Sequence, residues 1–446
     1  MGQGGSRPLI VLDDDPTGAQ AVVGVPVLLR WDEATLEEAL ADAPPAVHLV
    51  TNSRAFPPDR AYEVVLDAAR TALRVDPAAP LLLRGDSTLR AHFLEEYRAL
   101  RDASFPGQDA VVLLVPALPA AGRVTIGGVH HLVRGGRRIP LHETEYARDP
   151  SFAYRDARLL DWAEERSAGF FRAAEGVEVG LDELRRQGSS RLAEVLIQRV
   201  RQGGAGVVVP DAETVEDLEI IAEAYRIADA ECARSIVVRS APTLVGVLGG
   251  NAAPGSTALP AAGAGVVVIC GSHVPLTTRQ VQALTWRFPG TLVEVDLDAM
   301  TGPDADREVV RIGEEASGRL SATRLAVVAT PREVPGDGWD LERGEMLAWN
   351  LGRVLQHVAP RPGVVLAKGG ITSAVTVQAG LGARRADVVG PVADGIALWD
   401  VHANDGQRYP YIVFPGNVGD DATLRELVER ILVADPSGEA GPDRAR

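Results

Sequence analysis

The chain has 446 residues, of which 46% are hydrophobic and 24% charged, and carries a formal net charge of −16 at pH 7. That length predicts two or three domains with sizeable cores, and the acidic balance excludes sequence-independent nucleic-acid binding, which depends on Lys and Arg neutralising phosphates. Cys232 and Cys270 lie far apart with no Cys-x-x-Cys or Cys/His spacing, which excludes a disulfide framework and a zinc site. With no long apolar run for a membrane span and no apolar signal segment at the N-terminus, a cytoplasmic protein is expected.

In chain order, short apolar runs recur at residues 9–12, 47–50, 81–84, 111–115, 206–209 and 235–238. Each is followed by a polar or glycine-containing turn and a helical stretch. Val/Leu runs without alternation suit strands covered on both faces, and intervening helices imply a mostly parallel sheet. After Asp211, ETVEDLEIIAEAYRIADA has apolar residues at helical spacing and acids in its first turn. The uncharged segment 248–265 then reads as a linker. Beyond it the pattern restarts at 266–270, 291–296, 325–330, 363–368 and 411–414. The expectation is an α/β protein of two domains, each a mostly parallel sheet flanked by helices, with a ligand cleft between them. The first covers residues 1–247, the second 266–435, and residues 436–446 form a disordered tail.

Parallel sheets place ligands at the carboxyl ends of their strands. Directly after the first strand comes DDDPTGAQ, where Asp13, Asp14 and Asp15 precede Thr17 and Gly18. These acids could bind sugar hydroxyls, hold magnesium through water, or orient an attacking hydroxyl; a solvated, helix-capping turn is the structural alternative. RGDSTLRAHF follows the third strand, with Asp86 and Ser87 as helix-cap candidates and Arg84 and Arg90 as carboxylate-binding groups. Arg123 and Thr125 fall in an expected Pro- and Gly-bounded loop. Acids for hydroxyls and arginines for a carboxylate describe a polyhydroxy-acid site. His130 and His131, adjacent in sequence, read as satisfied or surface residues; His92 and His273 are weak candidates.

Three strand ends in the second half share a glycine-rich turn before a helix: Gly271 and Ser272; Lys368, Gly369 and Gly370; and Gly416, Asn417 and Gly419. Such turns let backbone N–H groups approach a phosphate. Thr277 with Gln280, Thr372 or Ser373, and Asp420 or Asp421 are the expected helix caps. Lys368 is the only lysine in a chain with 45 basic residues. A compact ammonium suits point contact with a phosphate oxygen, and a surface lysine is the alternative. Neither a Walker A motif nor G-x-G-x-x-G occurs.

Taken together, DDDPTGA, TNSR at 51–54, GDSTLR at 85–90, the GR-x-T-x-x-G-x-H run from Gly122, TEYARDPSF, PDAETVEDL, GSHVPLTTRQ, KGGITS and FPGNVGDD resemble the four-carbon acid sugar kinases. The likeness covers roughly residues 8–434. It implies a sugar-binding N-terminal domain, a nucleotide-binding C-terminal domain, and ATP- and Mg2+-dependent phosphorylation of the terminal hydroxyl of a threonate-, erythronate- or 3-oxo-tetronate-type acid. By that resemblance Asp13 or Asp14 would orient the hydroxyl. Asp15, Thr17, Arg54, Asp86, Ser87, Arg90 and Arg123 would bind the acid, with Arg90 and Arg123 on its carboxylate. Gly271, Ser272, Lys368, Gly369, Gly370, Ile371, Thr372, Gly416 and Asn417 would hold the nucleotide. Ile371 stands where many relatives carry an acid, and Ala374 and Val375 replace a Ser and an Asp. The alternative is a non-catalytic sugar-acid or nucleotide sensor of the same fold. The partners expected are the sugar acid and ATP, with neither nucleic acid nor membrane; a homodimer is the default for a symmetric oligomer.

Overall fold

The computed structural model describes residues 7–16, 18, 22–149, 151–232, 235–251, 256–272, 274–331 and 341–434. The expected tail 436–446, Thr17, His273 and part of the expected linker lie outside the described residues. The chain divides into two compact units. One comprises Met1–Gly255 with Asp387–Pro391, and the other Ser256–Ala386 with Val392–Arg446.

In the first unit, eight strands run parallel in the order Pro26–Leu28, Ala46–Val50, Leu9–Asp13, Leu81–Arg84, Ile236–Ser240, Val111–Val115, Gly206–Pro210 and Val177–Val179. Alternate residues of one strand enter different cores: Val112 and Leu114 pack with Phe93, Tyr97 and Trp162, whereas Val111, Leu113 and Val115 pack with Leu196, Leu218 and Ile221. A sheet covered on both faces has no polar side, which is why the strands read as unbroken apolar runs. The predicted helix forms as Val215–Glu231, where Thr214 and Asp217 make a reciprocal capping box.

Arg123 and Thr125 depart from the loop expected for them. They lie on the strand Arg123–Ile126, paired antiparallel with Val129–Arg134, which pairs in turn with Arg137–Pro140. The hairpin turns at Gly127 and Gly128, with φ of 62° and 73°, a conformation that favours glycine. Asp211 fixes that turn by accepting from both glycine N–H groups at 2.7 and 2.9 Å.

The second unit places Leu292–Glu294, Leu325–Ala329, Val266–Cys270, Val364–Lys368 and Arg408–Phe414 in one parallel run, followed by Ile396–His402 antiparallel to the last. Among the described residues no helix is long and apolar enough to cross a membrane.

Candidate functional site

Parallel register determines which side chains meet in the first unit. Asp13 is level with Val50 and Arg84, and Ser240 is level with Arg84 and Val115. The turns after these strands therefore share one end of the sheet. The result is a buried network of charges rather than a solvated acidic turn.

Asp13 is 1% exposed and its carboxylate is fully engaged. Oδ1 accepts from Arg84 Nε at 2.7 Å and Oδ2 lies 2.9 Å from His48 Nδ1. Asp15 meets the Arg54 guanidinium at 2.5 Å, and its carbonyl accepts from Arg84 Nη2 at 2.5 Å. Arg84 is buried at the strand end, where a Cβ on Gly18 would stand 1.9 Å from its Nε. Glycine at position 18 is thus the space into which the guanidinium folds.

Asp14 differs from both neighbours. It is 2% exposed, yet neither carboxylate oxygen accepts a hydrogen bond from the described residues. Three cations face it without aligned contacts: Arg84 Nη1 at 3.1 Å, Arg54 Nη2 at 3.7 Å and Arg239 Nη2 at 3.9 Å. Burial raises its pKa to about 7, against the opposing pull of Arg54 and Arg84.

The expected helix caps at Asp86 and Ser87 are displaced, because the helix begins only at Phe93 behind His92. Asp86 instead closes its own turn by accepting from the Thr88 backbone N–H and hydroxyl and from Arg90 Nε at 2.8 Å. Burial opposes ionisation of Asp86, but Arg90 and Arg54 outweigh it and hold the carboxyl well below the usual range. Arg90 reaches Asp149 at 3.5 Å and shares the Tyr146 ring with Arg123, their guanidinium carbons lying 5.7 and 5.8 Å from its centroid. Arg123 donates to the Tyr146 hydroxyl at 3.3 Å, while its buried Nε has no partner among the described residues. Ser87 offers its carbonyl to His130 Nε2 at 2.9 Å, and Thr125 holds the other ring nitrogen at 3.0 Å. Burial lowers the His130 pKa to about 4, so this imidazole is neutral and structural. His92 is similarly engaged, with Nε2 2.8 Å from the Phe56 carbonyl oxygen.

The acidic turn does not fit a magnesium ion. The oxygens of Asp13 and one of Asp15 are committed to arginine or histidine, and among the described residues no group of three His, Cys, Asp or Glu side chains is arranged for a metal.

In the second unit Cys270, Lys368 and Phe414 are level, so the turns after their strands converge. Backbone proximity dominates there. A Cβ on Gly271 would lie 2.7 Å from Thr372 Oγ1, and one on Gly416 would lie 2.7 Å from Ser272 Oγ. Gly369, at φ 119°, heads the short helix Gly370–Val375, displacing the cap expected at Thr372 or Ser373. Thr277 and Gln280 do not form a capping box either. The Thr277 hydroxyl bonds Ser272 Oγ at 3.2 Å and the Gly416 carbonyl at 3.0 Å, and the Gln280 amide donates to the carbonyls of Val418 and Asp420. These side chains fasten one turn to the next.

Lys368 is not a surface residue. It has 0% exposure, donates from Nζ to the Pro415 carbonyl at 2.6 Å, and lies 3.7 Å from the Phe414 ring centroid. Burial pushes its pKa down to about 7. Ile371, by contrast, is 45% exposed on the same turn. Asn417 is half-buried beside Gly416.

Sequence reasoning missed His48, Glu96, Tyr146 and Arg239. His48 interrupts an otherwise apolar strand and Arg239 ends one, and a charged residue inside a covered strand is the signal that was available. Glu96 lies on the buried face of the helix Phe93–Ser104, where only tertiary packing reveals its partners.

Residues 9–248 match a family model described as a sugar-binding N-terminal domain, and residues 267–424 match one described as a nucleotide-binding C-terminal domain. The chain is 29% identical over 441 residues to a D-threonate kinase of Salmonella typhimurium, covering 93% of this chain and 96% of that one. It is 28% identical over 337 residues to a D-erythronate kinase of Heliobacterium modesticaldum, covering 73% and 71% respectively. Crystal structures of a Salmonella typhimurium protein and a Haemophilus influenzae protein share the fold with TM-scores of 0.68 and 0.61 at 18% and 20% identity. Each covers 95% of this chain, and the match spans 98% and 100% of the respective structures. The two matched domains, in this order and over most of the sequence, make the chain a member of the four-carbon acid sugar kinase family.

Proposed function

We propose that this protein is an ATP-dependent kinase that phosphorylates the terminal hydroxyl of a four-carbon sugar acid of the threonate or erythronate type. The observation that carries the reading is Asp14, a carboxylate buried among arginines yet left without a hydrogen bond, with a pKa raised to about 7. A general base is most effective when its pKa lies near the working pH. Of the two aspartates expected to act on the hydroxyl, Asp14 has oxygens that accept no hydrogen bond from the described residues, while Asp13 holds Arg84 and His48.

Arg123 is the group for the substrate carboxylate. No ion pair engages it among the described residues, and Tyr146 holds its guanidinium plane. Arg90 lies against the same ring with its charge shared by Asp86 and Asp149, so it supports the positive field more than it binds directly. Arg54 bridges Asp14, Asp15 and Asp86 and keeps their net charge low as an anionic substrate approaches. The hydroxyl proton passes to Asp14 Oδ as the oxygen attacks phosphorus, and the leaving group is ADP.

Ser272, Gly271 and Gly416 form the phosphate cradle in this reading, because a Cβ on Gly271 or Gly416 would collide with Thr372 or Ser272 and only bare backbone fits there; Gly369 shapes the turn, its own N–H donating to the Phe414 carbonyl at 2.8 Å. Lys368 acts by fixing the Pro415 carbonyl beneath the turn. Magnesium would arrive with the nucleotide, held by phosphate oxygens and supplying charge neutralisation. The likeness to D-threonate and D-erythronate kinases supports the substrate class.

The test is ADP release with Mg-ATP against D- and L-threonate, D- and L-erythronate and their 3-oxo derivatives. Strong turnover with one acid is expected. Silence across the panel, from folded protein that binds ATP, would overturn the kinase reading in favour of a sensor.

A further inference from the structure

Asp14 has cations on several sides, and its lack of a hydrogen bond needs a cause. The facing charges come from every neighbouring element: Asp13 and Asp15 on its own turn, Arg54 after one strand, Arg84 and Arg239 at the ends of two others, Asp86 beyond Arg84, and Glu96 on the helix Phe93–Ser104. Each guanidinium directs its better contacts elsewhere. Arg84 is held by Asp13 and the Asp15 carbonyl, and Arg54 by Asp15 at 2.5 Å.

Arg239 is the cation controlled from outside the acidic turn. Its Nη1 bonds Glu96 Oε2, and the other Glu96 oxygen accepts from Ser53 Oγ at 2.7 Å. Glu96 and Arg239 are both buried, at 1% and 4% exposure. Gly85 supplies the room, since a Cβ there would stand 2.4 Å from Arg239 Nη2. That Nη2 is 3.9 Å from Asp14 Oδ2, so a shift of about 1 Å would bring it into charge-assisted hydrogen-bond range.

We propose that Glu96 is a positioning residue: itself fixed by Ser53, it holds Arg239 beside Gly85, prevents that guanidinium from closing on Asp14 and leaves the Asp14 carboxylate available to the substrate hydroxyl. The proposal rests on Asp14 being the base, and assigns Glu96 and Arg239 to the reaction without either touching substrate. A carboxylate that gains a direct guanidinium becomes a weaker base. Removing the Glu96 charge acts in that direction twice, by releasing the cation and by deleting the nearby anion that disfavours Asp14 ionisation.

The experiment compares the full-length wild type with Glu96→Gln, Arg239→Met, the double variant and Ser53→Ala. Two readouts are used: the acid limb of kcat/KM against pH, and the 13C carboxyl titration assigned to Asp14 by its loss in Asp14→Asn. Glu96→Gln is expected to lower the Asp14 midpoint by about one pH unit or more, with kcat falling at pH 8 and little change in the KM for ATP. Arg239→Met is expected to raise the midpoint, and the double variant to return it toward wild type. Ser53→Ala should give a smaller downward shift, and with Arg239→Met it carries the test if Glu96→Gln does not fold. An unchanged Asp14 midpoint in Glu96→Gln, or a double variant that stays shifted with Glu96→Gln, would overturn the proposal. Because the carboxyl titration does not depend on turnover, failure of Asp14 as base appears separately, as an active Asp14→Asn variant.

Discussion

The two units use strand-end turns in opposite ways. The first gathers charge at its strand ends: Asp13, Asp14, Asp15, Arg54, Arg84, Asp86 and Arg239, with Glu96 from the helix Phe93–Ser104, pair in one network. The second removes side chains, so that Gly271, Gly369 and Gly416 pack against Thr372 and Ser272, with the buried Lys368 amine beneath. A small polyhydroxy acid must be recognised group by group and needs placed charges. A phosphate can be met by backbone N–H groups, which need only close approach. Charged and glycine turns should therefore respond differently to substitution.

The largest effect is expected at the base. Asp14→Asn should lower kcat by about 10^2- to 10^4-fold while ATP binding persists, checked by steady-state kinetics and calorimetric titration with ATP. In the glycine turns, Gly416→Ala forces a Cβ to 2.7 Å from Ser272 Oγ and should raise the KM for ATP by about tenfold, leaving the affinity for the sugar acid unchanged. Equal damage to both ligands would break the comparison. Lys368→Met keeps the stem volume but leaves the Pro415 carbonyl unpaired; it should weaken ATP binding and lower stability by about 1 to 3 kcal/mol, measured by denaturant unfolding. Arg123→Lys loses the planar fork on Tyr146 and should raise the KM for the sugar acid several-fold without changing that for ATP.

Stability should also depend on pH. The Asp14 carboxyl titrates near 7 in the fold and near 3.8 unfolded, so the folded state binds more protons between those values. Its contribution to stability is therefore lost as pH rises through that window. Asn at this position removes the loss, so the Tm of Asp14→Asn relative to wild type should climb from pH 4 to pH 7 and then level off.

Much of the fold was legible because strands covered on both faces appear as unbroken apolar runs, as at VVLLV and VVVIC. Arg123 and Thr125 carry a loop signature in the sequence although the Gly127–Gly128 turn is a hairpin signal, because the strands on either side are short and rich in Arg and His. Helix caps were misplaced at Asp86, Thr277 and Thr372 for one reason: a Ser, Thr or Asp near a helix start has the same local signature whether it caps the helix or fastens a neighbouring turn. The acidic turn and three glycine turns could be found by their position after strands. Which aspartate stays free could not, because that depends on Arg84, Arg239, His48 and Glu96, brought in by register from distant segments.

The most direct test is the pH profile of kcat/KM for wild type and Asp14→Asn with the acid that turns over, from pH 5 to pH 9. The wild-type kcat/KM is expected to rise through a midpoint near 7, and the residual variant rate to lack this limb. A variant that keeps the wild-type rate and the same rising limb would show that Asp14 does not take the hydroxyl proton.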